Sequence, residues 1–310
     1  MSKAARVLVT GAGGALGGQA ARLLAERGAE VYGTHRRPVS AGMIAPQGVN
    51  WLTCDLSKPD EVRAALEASR PAHVLHTVGL SGTSDFGALI EANVIALTNL
   101  VHALGDGAIQ RLVVMGSAAE YATAGGRDPI REDHPLAPSN DYGLTKLFQF
   151  EISRKAFRAG LPVVYARPFN LIGPGVSCAT ALGDITSRIV QLIRQRGGEL
   201  EVGDLDRWRD YLDVRDAAAG CVVLLQDGEP GGVYNLCSGM PTLMSEVVDQ
   251  LLSMTGDKLR LRRVEREESV RFLVGDSTRL RTLGWSPAYD LSTSLRDGLQ
   301  AMLAAGGADK

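Results

Sequence analysis

The sequence predicts an α/β fold in which a doubly wound parallel sheet is accompanied by a smaller mixed α/β domain. In the first half, short apolar runs alternate with longer amphipathic segments that have helical spacing. The short runs are apolar throughout, which is typical of parallel strands covered by helices on both faces. After Arg167 this rhythm ends, and the chain becomes richer in Gly, Pro and charged residues. The change predicts a second, smaller unit.

The individual elements follow from this alternation. Strands are predicted at residues 7–9, 30–33, 50–53, 73–77, 111–115 and 162–166. A first helix ends at Gly28, and further helices are predicted at 60–69, 86–104 and 142–159. Later segments add a helix at 184–196, a strand at 199–202, a strand end plus helix at 211–225 and a strand at 232–236. We predict that residues 1–168 and 211–236 form the larger domain, and 169–210 and 237–310 the smaller one.

Composition excludes several classes of function. The 310 residues include 33 Lys and Arg against 35 Asp and Glu, without the basic block of a nucleic-acid or anionic-membrane binder. The four cysteines are scattered without a CxxC pair, which predicts a reducing compartment and neither a metal site nor a disulfide framework. The first strand begins at once, and no apolar run approaches the roughly 18 residues of a membrane helix. We therefore expect a cytoplasmic protein with no membrane and no nucleic-acid partner.

A glycine-rich turn follows the first predicted strand and opens the first helix. Its glycines at 11, 14 and 17 allow a tight turn, close approach to a pyrophosphate and close packing of the helix on the strand. The helix N-terminus adds unpaired N–H groups and the positive end of the helix dipole. In this position the turn predicts a dinucleotide-binding Rossmann domain rather than an incidental glycine-rich turn. The predicted cofactor contacts here are Gly11, Gly13, Gly14, Ala15, Leu16 and Gly17.

The end of the second strand bears on the choice of dinucleotide. Rossmann proteins that prefer NAD place an Asp or Glu there, whereas this chain has His35, Arg36 and Arg37. Arginines can bind a 2′-phosphate, so NADP(H) is the preferred cofactor and NAD(H) the second option. A solvated basic turn is the alternative interpretation. After the third and fourth strands, the predicted cofactor contacts are Asp55, Leu56 and Val78.

Ser117, Tyr142 and Lys146 form the predicted catalytic set. Tyr142 and Lys146 are four residues apart, so on a helix their side chains face the same way. A tyrosine hydroxyl has an ordinary pKa of about 10, and a neighbouring ammonium together with an oxidised nicotinamide would lower it. Both residues are therefore predicted cofactor contacts too. Ser117 follows the fifth strand at the carboxyl edge of the sheet, where it can hold a substrate oxygen. A surface YxxxK pair is the alternative.

Seven stretches of the chain carry a family resemblance. They are TGAGGALG (10–17), GSAAEYA (116–122), YGLTK (142–146), RPFNLIGPG (167–175), RDYLDVRD (209–216), GVYNLCSG (232–239) and GDSTRLRTLGW (275–285). The chain resembles the extended short-chain dehydrogenase/reductases, of the NAD-dependent epimerase/dehydratase group, that act on nucleotide sugars. Within them it looks most similar to GDP-4-keto-6-deoxy-D-mannose reductases, which make GDP-D-rhamnose. The resemblance implies an NAD(P)-dependent oxidoreductase with a nucleotide-diphosphate-sugar substrate, and a homodimer formed through helices 86–104 and 142–159.

The same resemblance implies roles in the substrate site. Asn170 would hydrogen-bond the substrate near its diphosphate, and Arg209 and Arg266 would pair with the phosphate oxygens. A surface ion pair is the alternative for either arginine. Ser117 would hold the reacting oxygen, and Ser81 would line the pocket in a segment that is shorter than in the family, which leaves the sugar open. Asn93 matches a family Asn under the site, where a structural role is an equal alternative.

One position separates the chemistries of the resembled family. Two residues after the catalytic Ser or Thr, 4,6-dehydratases carry a Glu and epimerase-reductases a Cys that is partnered by a His. Here the position holds Ala119, and the turn from Gly173 to Val176 contains no His. Ala119 cannot exchange a proton, so both of these chemistries are disfavoured. Two reactions need no added acid or base: 4-keto reduction with NADPH and a UDP-glucose-4-epimerase-like reaction with tightly bound NAD. Reduction is the expected reaction because His35, Arg36 and Arg37 suit NADPH, whereas the epimerases carry an acid after the second strand. The epimerase-like reaction and a non-enzymatic NADP(H)-binding redox sensor are the alternatives.

Overall fold

The computed structural model describes residues 5–36, 46–105, 109–122, 126–256, 259–264 and 272–305. Its strands are β1 (Arg6–Thr10), β2 (Glu30–His35), β3 (Val49–Thr53), β4 (His73–His76), β5 (Arg111–Met115), β6 (Val163–Pro168), β7 (Asn170–Ile172), β8 (Gly198–Val202), β9 (Trp208–Asp213), β10 (Val233–Leu236), β11 (Pro241–Leu243), β12 (Leu259–Arg263) and β13 (Phe272–Leu273). Its α-helices are α1 (Ala15–Glu26), α2 (Pro59–Ser69), α3 (Phe86–Leu89), α4 (Ala96–Leu104), α5 (Asp141–Arg158), α6 (Ala181–Arg194), α7 (Val214–Asp227), α8 (Met244–Ser253), α9 (Thr278–Arg281) and α10 (Leu291–Ala305). A π-helical segment (Ile90–Ile95) joins α3 to α4, and a 3₁₀ turn (Ala118–Glu120) follows β5.

The larger sheet has seven parallel strands in the order β10-β6-β5-β4-β1-β2-β3. This order confirms the predicted doubly wound α/β fold. The strand β2 lies on one side of β1 and β4 on the other, so the chain changes direction across the sheet at β1. Loops that leave β1 and β4 therefore diverge, and a crevice opens between them at the carboxyl edge.

Alternate residues of the central strands face two different helical layers. In β1, Val7 and Val9 pack in the core that contains α1 and α7, whereas Leu8 packs in the core that contains α2 and α4. Burial of each such side chain contributes about 1.5–3 kcal/mol. Because neither face of the sheet is polar, the strands appear in the sequence as uninterrupted apolar runs.

The later part of the chain builds two small sheets and a separate core. β7, β9, β11 and β13 form one sheet, and β8 pairs with β12 in the other. The helices α6, α8 and α10 share the core of this region. β9 continues across the boundary predicted between residues 210 and 211. Leu280 and Trp285, from the segment assigned to the smaller domain, pack in the core beside α7. The exact division into domains stays a prediction.

The helical stretch from α3 to α4 forms a longer apolar segment than the sequence predicted for any part of the chain. Its 19 residues have a mean hydropathy of 1.4, so by length and composition this helix could cross a membrane, and the expectation that no segment reaches that length was wrong. In the fold, however, it behaves as a helix of the protein core. Leu97 and Leu100 are buried against the sheet, and Asn99 Nδ2 donates to the Leu56 carbonyl oxygen at 2.9 Å.

Candidate active site

A cavity of about 330 Å³ lies beside the glycine-rich turn, at the carboxyl edge of the larger sheet. The predicted cofactor residues that line it are Gly11, Gly13, Gly14, His35, Arg36, Asp55, Leu56 and Val78. Ala15 lines the neighbouring, larger cavity instead. Leu16 packs against the apolar core, and Gly17 is buried beneath the turn, so both act through packing. Arg37 lies outside the described residues.

The glycine-rich turn is shaped to receive an anionic group. Gly11 has φ +75°, a conformation that favours glycine. A Cβ on Gly17 would lie 2.3 Å from the Gly11 carbonyl oxygen, so only glycine lets α1 pack this closely. At the N-cap of α1, Gly14 provides no side-chain cap, which leaves the first N–H groups without a side-chain acceptor. A pyrophosphate would supply acceptors at the positive end of the helix dipole, so these residues fit a dinucleotide.

The residue after β2 adds a basic side chain to this cavity, which Asp55 and Glu91 also line. This residue, Arg36, is exposed. Although burial opposes ionisation of Asp55, hydrogen bonds from Ser57 and the charges of Lys58 and Arg36 lower the pKa of its carboxyl group. The guanidinium of Arg36 is therefore close enough to act on an anionic group in this cavity.

Ser117 and Tyr142 meet at the carboxyl end of β5. Ser117 begins the 3₁₀ turn, where its Oγ accepts a hydrogen bond from the Ala119 N–H at 3.1 Å and its own N–H donates to Glu120 Oε1 at 2.7 Å. This reciprocal capping fixes the serine at the end of the strand. The Ser117 hydroxyl also hydrogen-bonds to Tyr142. Burial raises the pKa of Tyr142, and this hydrogen bond partly offsets the effect, so the phenol holds its proton at neutral pH.

Lys146 lies one turn after Tyr142 on α5 and is 4% exposed. Its Nζ is 5.9 Å from the centroid of the Tyr142 ring. A Cβ on Gly79, which lines the smaller cavity, would lie only 3.0 Å from Nζ, so the glycine lets the ammonium pack closely against this wall. Burial lowers the pKa of Lys146 to about 8, and the charge of Glu120 opposes this shift. The structure thus brings the three predicted catalytic residues together: Ser117 and Tyr142 line the larger cavity, and Lys146 is buried beside Tyr142 without lining either cavity.

A buried ion pair supports this arrangement and was missed from the sequence. Arg167 Nε donates to Glu120 Oε2 at 2.8 Å, and the two side chains are 1% and 0% exposed. Glu120 Oε1 also accepts from the Tyr165 hydroxyl at 2.8 Å. Loss of one partner would leave an uncompensated charge and cost about 3–5 kcal/mol. Glu120, three residues after Ser117, and Arg167, near the end of a buried strand, are visible in the sequence, but no local pattern indicates that they pair.

A second cavity, of about 800 Å³, adjoins the first and is lined by Tyr142 and by the predicted substrate residues Ser81, Ser117, Asn170 and Arg209. Asn170 Nδ2 donates to the Asp210 carbonyl oxygen and Arg209 Nη1 to the Trp208 carbonyl oxygen, both at 2.9 Å. The backbone of β9 therefore positions both side chains. Arg266 lies outside the described residues.

The segment just before β9 adds a basic residue that sequence analysis did not select. Arg207 directly precedes the first residue of β9 and lines the same cavity as Arg209. Its Nε lies 3.3 Å from Asp204 Oδ2. Its position two residues before Arg209 in the sequence was the available signal.

Asn93 has the structural role that was left as an alternative. It is fully buried in the π-helical segment, where its Oδ1 accepts from the Leu80 N–H at 2.7 Å. Its Nδ2 donates to the Leu80 carbonyl oxygen at 3.0 Å and to Thr145 Oγ1 at 2.8 Å. Asn93 therefore ties the loop after β4 to the helix that carries Tyr142 and Lys146. A π-bulge at such a point is common at functional sites.

The larger cavity offers few groups for additional proton transfer. Among the described residues that line it there is no Cys, His or Glu. Ala119 uses its N–H in the cap of Ser117 and has no ionisable side chain. Besides Tyr142, its titratable groups are Asp141, Arg207, Arg209 and Tyr211, and burial raises the pKa of Tyr211 to about 12. The site therefore suits one proton transfer through Tyr142.

Known proteins resemble this chain over most of its length. The model of the NAD dependent epimerase/dehydratase family matches residues 7–237. A GDP-6-deoxy-D-mannose reductase of Pseudomonas aeruginosa is 31% identical in an alignment of length 258 that covers 78% of this chain and 83% of that protein. A UDP-glucose 4-epimerase of Corynebacterium glutamicum is 27% identical in an alignment of length 317 that covers 94% of each chain.

Among solved structures, that of RMD from Pseudomonas aeruginosa complexed with NADPH has a TM-score of 0.82 and 27% sequence identity. The match covers 97% of this chain and 99% of that one. These findings confirm the predicted fold and the prediction of an NAD(P)-dependent enzyme. The chain belongs to the NAD-dependent epimerase/dehydratase family.

Proposed function

We propose that the protein is an NADPH-dependent reductase of a nucleotide-diphosphate 4-keto-6-deoxyhexose. The substrate we favour is GDP-4-keto-6-deoxy-D-mannose, which would give GDP-D-rhamnose. The observation that carries the proposal is the grouping of Ser117, Tyr142 and Lys146 at a larger cavity whose described lining residues include no Cys, His or Glu, next to a smaller cavity that fits a dinucleotide and contains Arg36. The relative from Pseudomonas aeruginosa, named as a GDP-6-deoxy-D-mannose reductase, supports the choice of substrate.

The residues have distinct tasks in this reaction. Bound NADPH would supply the hydride that reduces the C4 carbonyl. Ser117 Oγ holds the C4 oxygen, and Tyr142 donates the proton that this oxygen needs as it becomes an alcohol. The Lys146 ammonium stabilises the phenolate that is left on Tyr142. General acid catalysis by one positioned group typically contributes about 10²–10⁴-fold to the rate.

Residues that line the larger cavity would bind the diphosphate of the nucleotide-linked substrate. Arg209 and Asn170 are held by the β9 backbone and provide N–H donors for a diphosphate. A guanidinium suits phosphate oxygens because it presents its donors in a fixed planar fork. The arginine stays charged although burial lowers its pKa. This pairing favours a nucleotide-linked sugar over a free one.

The same proposal includes a homodimer. Phe86, Ile95 and Phe148 are 38–40% exposed on the α3–α4 stretch and on α5, two helical segments that contact each other. Large apolar side chains clustered on a surface favour association with another chain. Sedimentation at several protein concentrations reads the oligomeric state directly.

A substrate panel tests the proposed function. NADPH oxidation is followed with 4-keto-6-deoxyhexoses linked to GDP, dTDP and UDP, and the product is identified by NMR. We expect stoichiometric NADPH oxidation, fastest with the GDP-linked D-mannose derivative. Conversion of UDP-glucose, offered as a separate substrate, into its C4 epimer without NADPH consumption would establish the epimerase alternative. NADP(H) binding without turnover of any nucleotide sugar would support the redox sensor.

A further inference from the structure

A glutamine contacts the catalytic lysine and has no part in the reaction as derived so far. Gln149 lies on α5, three residues after Lys146, and its side chain is fully buried. Lys146 Nζ donates to Gln149 Oε1 at 2.7 Å. Because an ammonium has donors only, the amide must turn its oxygen and not its nitrogen toward Lys146.

This orientation has an unfavourable consequence elsewhere. Gln149 Nε2 is buried and has no hydrogen-bond partner among the described residues. An unpaired buried donor destabilises the folded state, and an apolar side chain of similar size would avoid that cost. A buried polar group with an unsatisfied donor therefore points to a role beyond packing.

The hydrogen bonds of Lys146 indicate what the role is. Nζ has three N–H donors, of which one goes to the Met115 carbonyl oxygen at 3.1 Å and one to Gln149 Oε1. Two fixed acceptors on the protein determine the direction of the third N–H. Gly79 and the ring of Tyr142, whose centroid is 5.9 Å from Nζ, are further neighbours of the ammonium.

The charged and titratable groups around Lys146 come from four elements. Glu120 in the 3₁₀ turn favours the ammonium, but it is itself paired with Arg167. His76 at the end of β4 is neutral at neutral pH, because burial lowers its pKa to about 3. Tyr142 on α5 and Tyr165 on β6 are phenols whose pKa burial raises. Gln149 is the side chain that accepts a hydrogen bond directly from Lys146 Nζ.

We propose that Gln149 is a positioning residue of the catalytic site: its amide oxygen keeps the buried Lys146 protonated and directs the free N–H toward Tyr142 and the cofactor cavity. The proposal rests on the proposed function for its consequence in catalysis. Its effect on Lys146 itself can be measured without any substrate.

Titration of Lys146 is the first test. The chain has six lysines, so after ¹³C labelling at lysine Cε each signal can be followed by NMR, and the Lys146 signal is the one missing in Lys146→Arg. We expect a midpoint of about 8 in the unaltered protein. In Gln149→Met, which removes the acceptor but keeps the volume, the midpoint should fall by roughly one to two pH units. In Gln149→Glu, which adds a negative charge, it should rise.

A matched control separates this effect from disturbance of the helix. Ser153 is buried one turn further along α5 and donates to the Gln149 carbonyl oxygen at 2.8 Å, so Ser153→Ala perturbs the same segment without touching Lys146. Its Lys146 midpoint should equal that of the unaltered protein. An unchanged midpoint in folded Gln149→Met would overturn the proposal. If Gln149→Met does not fold, the test uses Gln149→Glu. A Lys146 midpoint that does not rise in Gln149→Glu would likewise overturn the proposal.

The pH profile of turnover is the second test. The ammonium is present below the pKa of Lys146 and is lost as the pH rises through it, so a lower pKa moves the alkaline limb of kcat to lower pH. In Gln149→Met we expect that shift, with KM for the sugar nearly unchanged. A loss of kcat that is equal at every pH would indicate a merely structural role and contradict the proposal. If the unaltered protein reduces no 4-keto sugar, the proposed function fails, and the lysine titration still decides the role of Gln149.

Discussion

The two cavities of the active site are built in different ways. The smaller one is lined by residues at or just after the carboxyl ends of β1, β2, β3 and β4 and by one side of the α3–α4 stretch, and four of its residues are glycines. The larger one is lined by residues from segments that are far apart in the chain, among them Ser81, Asn140, Thr180, Arg209 and Met244. Backbone N–H groups at a helix N-terminus serve any pyrophosphate, whereas a set of distant side chains recognises one shape of ligand.

In the proposed function, this contrast separates a generic part of the activity from a specific one. The cavity beside the glycine-rich turn would receive the dinucleotide, with Arg36 as its basic side chain. The larger cavity would determine the choice of substrate through side chains such as Arg209. Tyr142 lines the larger cavity beside Lys146. Substitutions in the three places should therefore have separable effects on turnover, substrate affinity and cofactor preference.

The largest effect is expected at the proton donor, Tyr142. Tyr142→Phe removes the proton donor and keeps the ring, so kcat should fall by about 10²–10⁴-fold while NADPH affinity and thermal stability change little. Tyr289→Phe removes a hydroxyl from an exposed tyrosine and serves as the control. Steady-state kinetics and NADPH fluorescence titration measure both properties. Near-normal turnover in Tyr142→Phe would exclude Tyr142 as the acid.

A smaller effect is expected in the larger cavity. Arg209→Ala removes a charge-assisted contact to the diphosphate, worth about 1.5–3 kcal/mol, so KM for the nucleotide sugar should rise roughly tenfold to a hundredfold. The affinity for NADPH should stay the same. Arg194→Ala removes an exposed arginine of α6 and provides the matched control. If Arg209→Ala instead weakens NADPH binding and leaves KM for the nucleotide sugar unchanged, Arg209 contacts the cofactor and not the substrate.

The smallest effect is expected at the basic side chain of the smaller cavity. We predict that NADPH is preferred over NADH, and that Arg36→Asp lowers this preference by roughly tenfold, because Arg36 is exposed and water screens its charge. The ratio of kcat/KM for the two cofactors measures the change. Arg296→Asp alters an exposed arginine of α10 and controls for net charge. If Arg36→Asp leaves the ratio of kcat/KM for NADPH and NADH unchanged, Arg36 has no part in cofactor selection.

The features that the sequence revealed are those encoded within short stretches. Apolar runs and glycine positions report on strands and tight turns directly, so the large sheet and the turn at Gly11 could be predicted. The pair Tyr142 and Lys146 could be found because helical spacing places both on one face. Pairs formed across long distances in the chain, such as Glu120 with Arg167, leave no local pattern. Their partners become evident only when β5 and β6 lie side by side.

The smaller domain was less predictable for a related reason. β9 pairs with β7, β11 and β13, which are contributed by three separate parts of the chain. Pairing between distant short strands depends on the finished fold and not on local propensity. For the same reason Trp285 could not be assigned to the core beside α7, where its Nε1 donates to the Asp216 carbonyl oxygen at 3.0 Å.

The central claim is that hydride moves from NADPH to C4 of a 4-keto sugar while Tyr142 supplies the proton. The most direct measurement uses NADPH carrying deuterium at the transferring position of the nicotinamide, with GDP-4-keto-6-deoxy-D-mannose as substrate and NMR of the product. We predict one deuterium at C4 of the sugar for each NADPH oxidised, and none in reactions with Tyr142→Phe over the same time. Absence of deuterium from the sugar, with C4 epimers of a nucleotide hexose interconverting instead, would contradict the account.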